Sequence, residues 1–237
     1  MIKFKKPKFW GLKKPNIISY FLLPLTLPVL INNIILNFKS SKKNKKIKSI
    51  CIGNIYIGGT GKTPTVIKLF EILNDLNFKV STGKKFYFSQ IDEISILQKK
   101  TKLIEEKNRS MILKEAINKD QNIIIFDDGL QDKRISYDLQ FVCFDINNFI
   151  GNGQLLPSGP LREKISSLKK YDAVFLKGED DKLTNHVDLI RTQNANIQIF
   201  ETYFEINNLN EFNLKEDYLI FSGIGNPQSF KNILKKK

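Results

Sequence analysis

The stretch NIYIGGTGKTP, residues 54–64, limits what this chain can fold into more than any other. An apolar run with strand character, IKSICIGN, leads into it, and an amphipathic segment, TPTVIKLFEILNDL, leads out. A glycine-rich turn between a buried strand and a helix is the setting of a phosphate-binding loop. Gly58, Gly59 and Gly61 let the backbone curl until its amides face a phosphate chain, and the helix N-terminus adds partial positive charge. Lys62 is placed to neutralise β- and γ-phosphate oxygens, and the Thr63 hydroxyl to ligate Mg²⁺. Residues Tyr56, Ile57, Gly58, Gly59, Thr60, Gly61, Lys62 and Thr63 are therefore the candidate nucleotide contacts. The usual pattern has a glycine where this chain has Tyr56.

Beyond residue 47 strand and helix patterns alternate. In the first helix Val66, Leu69, Phe70 and Leu73 fall on one face. FKVST, NIIIFDD, LQFVCFD, DAVFLKG, IQIFETYF and YLIFSGIG are further strand candidates, and MILKEAIN and REKISSLKK read as helices. This alternation predicts a parallel sheet flanked by helices, with ligands at the C-terminal ends of its strands. NIIIFDDGLQD then brings Asp127 and Asp128 to the sheet edge beside the loop, as a metal-binding acid requires. Adjacent acids point to opposite sides of a strand, so one is expected at the metal and the other at a neighbouring group. In IDEISIL, Asp92 and Glu93 taken alone form an ordinary acid pair at a helix start.

GNGQLLPSGPLREK, residues 151–164, is stiff with Gly and Pro and ends in Arg162–Glu163. Only four arginines occur in the chain, so Arg162 suggests a need for a bidentate fork. Cys51 and Cys143 lie in apolar strand runs and read as buried reduced thiols, consistent with a reducing, cytosolic compartment. With no CxxC pair and one histidine, His186, on the expected surface helix LTNHVDLI, the pattern argues against a Cys/His metal site.

Twelve of the formal +14 net charges are lysines in residues 1–50, and the first acid is Glu71. Between the lysines lies NIISYFLLPLTLPVLINNIILNF, residues 16–38. Pro24 and Pro28 interrupt any spanning helix, and asparagines occupy its second half. After Pro28, Leu30, Ile31, Ile34, Ile35 and Phe38 share a helical face with asparagines opposite. This predicts a helix lying in a membrane interface, tethered by lysines to anionic lipid. No basic stripe with interleaved aromatics follows, which argues against nucleic acid as a partner.

Taken together, KFW with LLPLTLPV, IGNIYIGGTGKTP, IDE, FDDGLQD, GNGQLLPSGPLRE and SGIGNPQSF resemble the tetraacyldisaccharide 4′-kinase family, in family order from residue 8 to 230. The family's loop also lacks the first glycine. The resemblance implies a P-loop NTPase-like α/β fold: a mostly parallel sheet flanked by helices, an N-terminal membrane-associated helix and a smaller C-terminal α/β lobe. The implied division is an arm over 1–47, a nucleotide-binding core over 48–150, and a substrate loop with the C-terminal lobe over 151–237. It implies transfer of the ATP γ-phosphate to the 4′-hydroxyl of an acylated glucosamine disaccharide 1-phosphate, at the cytoplasmic face of a bacterial inner membrane, by a monomer. By position Asp92 is the implied general base, acting with Lys62 and Asp128. Thr63, Asp127, Asp128 and Glu163 are the implied Mg²⁺ shell, and Arg162 and Asn152 the implied substrate contacts.

Two departures accompany the resemblance. Where the family has Ser-Arg-Gly-Tyr this chain reads STGKKFY, with Thr82 in the arginine's place. The family also continues past GIGNPQSF to an Asp-His motif, whereas this sequence stops at Lys237, early in a helix begun by Pro227. The expectation is a C-terminal truncation, with phosphoryl transfer impaired and ATP binding largely kept. Two other readings stay open. One is a nucleotide- or lipid-binding homologue without turnover. The other is a membrane-associated partition-type ATPase, although its signature lysine before the glycine pair is Ile57 here.

Overall fold

The computed structural model describes residues 6–38, 43–178, 183–206, 208–213, 215–221 and 231. Seven strands form one sheet: β1 (Lys48–Gly53), β2 (Val80–Lys85), β3 (Leu103–Glu106), β4 (Ile123–Asp127), β5 (Leu139–Asp145), β6 (Ala173–Lys177) and β7 (Gln198–Thr202). Their order is β3-β2-β4-β1-β5-β6-β7, and every neighbouring pair is parallel. β6 and β7 follow the division expected at residue 150 and extend this same sheet.

Both faces of the sheet are covered, so its central strands are apolar on both sides. On β4, Ile124 and Phe126 join the core beneath α5 (Arg109–Asn118), while Ile125 joins the core beneath α3 (Lys62–Asp75). β1 alternates in the same way, with Cys51 on the first face and Ile50 and Ile52 on the second. From α3, Val66 and Phe70 are buried and Leu69 and Leu73 pack partly against the same core, the face expected from the periodicity. Cys51 and Cys143 are buried free thiols, and burial pushes both well above the ordinary thiol range.

Four differences from the sequence reading have local causes. β3 was not foreseen: LIEE is four residues long and half acidic, so it carries little apolar signal. REKISSLKK forms only a short 3-10 turn, Ile165–Lys170. Of the strand expected over 218–225, residues 218–221 are irregular and the remainder lies outside the described residues, as does the whole of SGIGNPQSF, residues 222–230. His186, expected on a surface helix, stacks its ring 4.1 Å from that of Phe149, on the inner side of α6 (Leu183–Gln193).

The N-terminal arm comprises α1 (Ile17–Phe21), a 3-10 turn at Leu23–Thr26 and α2 (Leu27–Phe38). Pro24 and Pro28 fall at the beginnings of these short pieces, where a missing amide costs nothing. Among the described residues no helix is long and apolar enough to cross a membrane. α2 rests on the protein through Leu30, which packs against Tyr56, Leu155 and Leu161, and leaves Ile31, Ile34 and Ile35 outside.

Candidate functional site

The site forms where β1 and β4, adjacent at the centre of the sheet, end side by side. β1 runs into the 54–61 loop, whose two left-handed glycines, Gly58 (φ 135°) and Gly61 (φ 88°), turn the chain and start α3. Asn54 staples this loop from within: its amide donates to the Gly58 carbonyl at 3.1 Å and to Thr60 Oγ1 at 3.2 Å. Gly59 faces open space, so a phosphate can approach its backbone without obstruction.

Tyr56 and Ile57 differ in role from the rest of the loop. Tyr56 is buried with Leu155 and Leu161, bridges to Leu161, and has the Lys6 ammonium 4.3 Å from its ring centre. The tyrosine in place of the customary glycine is thus a packing residue joining the loop to residues 155–161. Ile57 contributes its amide to the Pro160 carbonyl at 2.9 Å, which spends that donor inside the protein.

The paired aspartates meet different partners, Asp127 as the last residue of β4 and Asp128 just beyond the strand. Asp127 is buried, and its Oδ2 accepts from Thr63 Oγ1 at 3.0 Å and from Lys84 Nζ at 2.7 Å. Its Oδ1 is buried with no hydrogen-bond partner among the described residues, an acceptor suited to a cation. Asp128 takes a left-handed backbone (φ 59°), uncommon outside glycine, and so turns back toward the loop. Its carboxylate lies 4.0 Å from Lys62 Nζ and 3.2–3.3 Å from Arg162 Nη1. Burial alone would raise the Asp128 carboxyl, but Lys62, Arg162 and Arg109 together hold it below the usual carboxylate range. An ionised Asp128 results.

Beside these acids opens a cleft of about 440 Å³ lined by Lys84, Lys85, Arg109, Arg134 and Arg162, with Asp127, Asp128 and Asp132. Arg109 is fixed from both ends: Nη1 donates to Asp132 at 2.9 Å and Nη2 to the Asp128 carbonyl. Gly129 makes room for it, since a β-carbon there would fall 2.7 Å from Arg109 Nε. Burial raises Asp132, yet the Arg134 and Arg109 guanidiniums hold it far below its ordinary value. A cleft with this many fixed cations suits an anionic ligand.

Several expected site residues stand elsewhere. Asp92 is exposed on the first turn of α4 (Ile91–Lys100) and does not line the cleft. Its neighbour Glu93 reaches inward instead, accepting from Lys84 Nζ at 2.7 Å. Glu163 is buried and accepts from Gln131, Lys170 and Tyr171, which spends its carboxylate on the protein. Among the described residues no three His, Cys, Asp or Glu side chains are grouped to hold a metal. Asn152, 4% exposed, donates to Ser19 Oγ at 2.9 Å and to the Ser158 carbonyl at 3.0 Å. It binds the arm, not the cleft. Lys84, 2% exposed, and Arg109 are the site residues that sequence reasoning missed. The doubled lysine in STGKKFY and the scarcity of arginine were the available signals.

The family model for tetraacyldisaccharide-1-P 4′-kinase matches residues 20–82 and 90–237. The tetraacyldisaccharide 4′-kinase of Pelagibacter ubique is 48% identical over 99% of this chain and 74% of its own length. The chain belongs to the tetraacyldisaccharide 4′-kinase family. A Rickettsia canadensis tetraacyldisaccharide 4′-kinase is 34% identical over 99% of this chain and 75% of its own length. The fold is that of a crystal structure of LpxK from Aquifex aeolicus in complex with ATP, at a TM-score of 0.69 and 21% identity over 93% of this chain and 78% of that one. Membership makes this chain a kinase, and the parallel sheet with its central phosphate loop is the frame that such a kinase uses.

Proposed function

We propose that this kinase transfers the γ-phosphate of ATP to the 4′-hydroxyl of a tetraacyldisaccharide 1-phosphate, giving lipid IVA. The observation that carries the reading is the meeting of Lys62, Thr63, Asp127, Asp128 and Arg162 at the mouth of a cationic cleft. The nucleotide phosphates lie along Gly58–Thr63, against backbone amides and Lys62. The acceptor's 4′-hydroxyl end enters the cleft, where Arg109, Arg134 and Arg162 face the phosphoryl group in transfer, and its 1-phosphate points away from the reacting centre. The orphaned Oδ1 of Asp127, next to Thr63, fits a divalent cation. Thr63 and Asp127 would hold Mg²⁺, whose charge would offset that of the β- and γ-phosphate oxygens.

The chain's own residues mainly position and neutralise, which is most of what phosphoryl transfer needs. Lys62 leaves Asp128 for the phosphates, and Asp128 keeps Arg162 aimed at the same place. In this reading Asp92, on the exposed first turn of α4 and two residues beyond the cleft-lining Gln90, serves the acceptor hydroxyl as general base. The three functional parts are the arm (1–47), the nucleotide core (48–150) and the substrate loop with the following strands (151–237).

The arm supports a place at the inner-membrane surface. Ile17, Phe21 and Phe38 are 87%, 83% and 85% exposed, and the surrounding lysines give complementarity to anionic headgroups. One assay tests the whole reading: purified protein with Mg-ATP and the acylated disaccharide 1-phosphate. Lipid phosphorylation is expected, falling at least about 10²-fold in Lys62→Ala. ATP hydrolysis independent of lipid would overturn it.

A further inference from the structure

Residues 151–162 lie between two parts of the molecule that the sequence keeps far apart. On the inner side the Arg162 amide donates to the Ile55 carbonyl at 2.7 Å, and the Arg162 fork meets Asp128. On the outer side the same segment is bonded to the N-terminal arm. Trp10 Nε1 donates to the Pro157 carbonyl at 3.0 Å, and the Asn152 amide to the Trp10 carbonyl at 3.1 Å. Ser158 Oγ donates to the Ser19 carbonyl at 2.6 Å, beside the buried Asn152–Ser19 bond. From α2, Asn33 Nδ2 donates to the carbonyl of Arg162 itself at 2.8 Å. The approach is too close for a side chain at 151, where a β-carbon would lie 2.2 Å from the Trp10 carbonyl oxygen.

We propose that the arm positions Arg162: Asn33 fixes its main chain, the Ser19–Asn152–Ser158 cluster fixes the segment behind it, and arm and segment stay joined when the outer apolar face meets lipid. Asn33 is then a positioning residue, acting on the reacting phosphates only through Arg162. The geometry explains why Ser19 and Asn33 turn toward the protein while Ile17, Phe21, Ile31, Ile34, Ile35 and Phe38 face outward. The proposal rests on the kinase reading for its catalytic half and on the bonds themselves for its mechanical half.

Two measurements on the full chain test it. In a double-mutant cycle on lipid phosphorylation, Asn33→Ala is expected to lower kcat about five-fold, the rate equivalent of one neutral hydrogen bond. In an Arg162→Ala background, itself down about 10²-fold, Asn33→Ala is expected to add less than about two-fold. Losses that multiply would show that Asn33 acts independently and overturn the assignment. The second measurement uses Trp10, the only tryptophan, with anionic vesicles whose acyl chains are brominated. The protein is expected to sediment with the vesicles while Trp10 emission stays unquenched and its maximum unmoved. Quenching would mean that the arm leaves residues 151–162 to enter lipid, and failure to sediment would remove the bilayer contact; either overturns the mechanical half. A wild-type chain that phosphorylates no lipid would sink the kinase reading, and the vesicle result would still decide whether arm and segment travel together.

Discussion

Strand β4 and helix α2 are both strongly apolar, yet they meet opposite fates. On β4, Ile124, Ile125 and Phe126 are wholly buried, because helices cover both faces of the sheet. On α2, Ile31, Ile34, Ile35 and Phe38 stay exposed while Asn33 turns inward to the Arg162 carbonyl. A helix meant for water does the reverse. Apolar content alone therefore does not fix burial; what fixes it is which side of the element finds partners.

The largest effect that would sharpen this contrast is in the sheet. Phe126→Ala should lower unfolding free energy by about 3–5 kcal/mol in denaturant titrations and leave vesicle binding unchanged. Replacing both Ile17 and Phe21 by serine should do the opposite. Vesicle partitioning should fall by more than about ten-fold, since each buried side chain of this size is worth about 1.5–3 kcal/mol, with stability within about 0.5 kcal/mol of wild type. A large loss of stability in that double variant would break the comparison. Asn152→Ala lies at the joint between the two regions and should cost about 1–3 kcal/mol, because buried partners lose their donor. The smallest effect is at Glu163. Burial raises its carboxyl, but Lys170, Gln131 and Tyr171 bring it below the ordinary glutamate value. Its stabilisation is therefore fully present above about pH 4.3 and lost as pH falls through the lower folded-state value. Glu163→Gln should flatten the acid limb of a stability–pH curve, lowering stability at neutral pH and converging on wild type as the pH falls through that lower value.

Much of the fold was legible because strand β1, the loop and helix α3 each carry a pattern that admits few alternatives. β4, β5, β6 and β7 likewise announced themselves as apolar runs. β3 did not, since a short edge strand with two glutamates has almost no period to detect. At the site, Lys62, Thr63, Asp127, Asp128 and Arg162 came together as the motifs suggested. Asn152 and Glu163 sit in the same motif as Arg162 but hold the protein together, a distinction that local sequence does not encode. Lys84 escaped notice because lysine in a strand ordinarily faces water. Here it spans Asp127 and Glu93 at 2.7 Å each, and both acids hold the ammonium charged against the desolvation that burial imposes.

The sheet order has a further consequence, for how the protein is made. β1 is the first strand synthesised and carries the phosphate loop, yet its two neighbours are β4 and β5. A ribosome must therefore deliver residues 123–127 before the central strand can pair at all, and residues 139–145 before it can pair on both sides. Until then the most apolar strand edges and the exposed N-terminal helices emerge together, without the sheet that later separates their fates. Such dependence on contacts distant in sequence slows folding and lengthens exposure to aggregation. Expression conditions that slow translation through residues 54–122 should accordingly penalise the soluble yield of this chain.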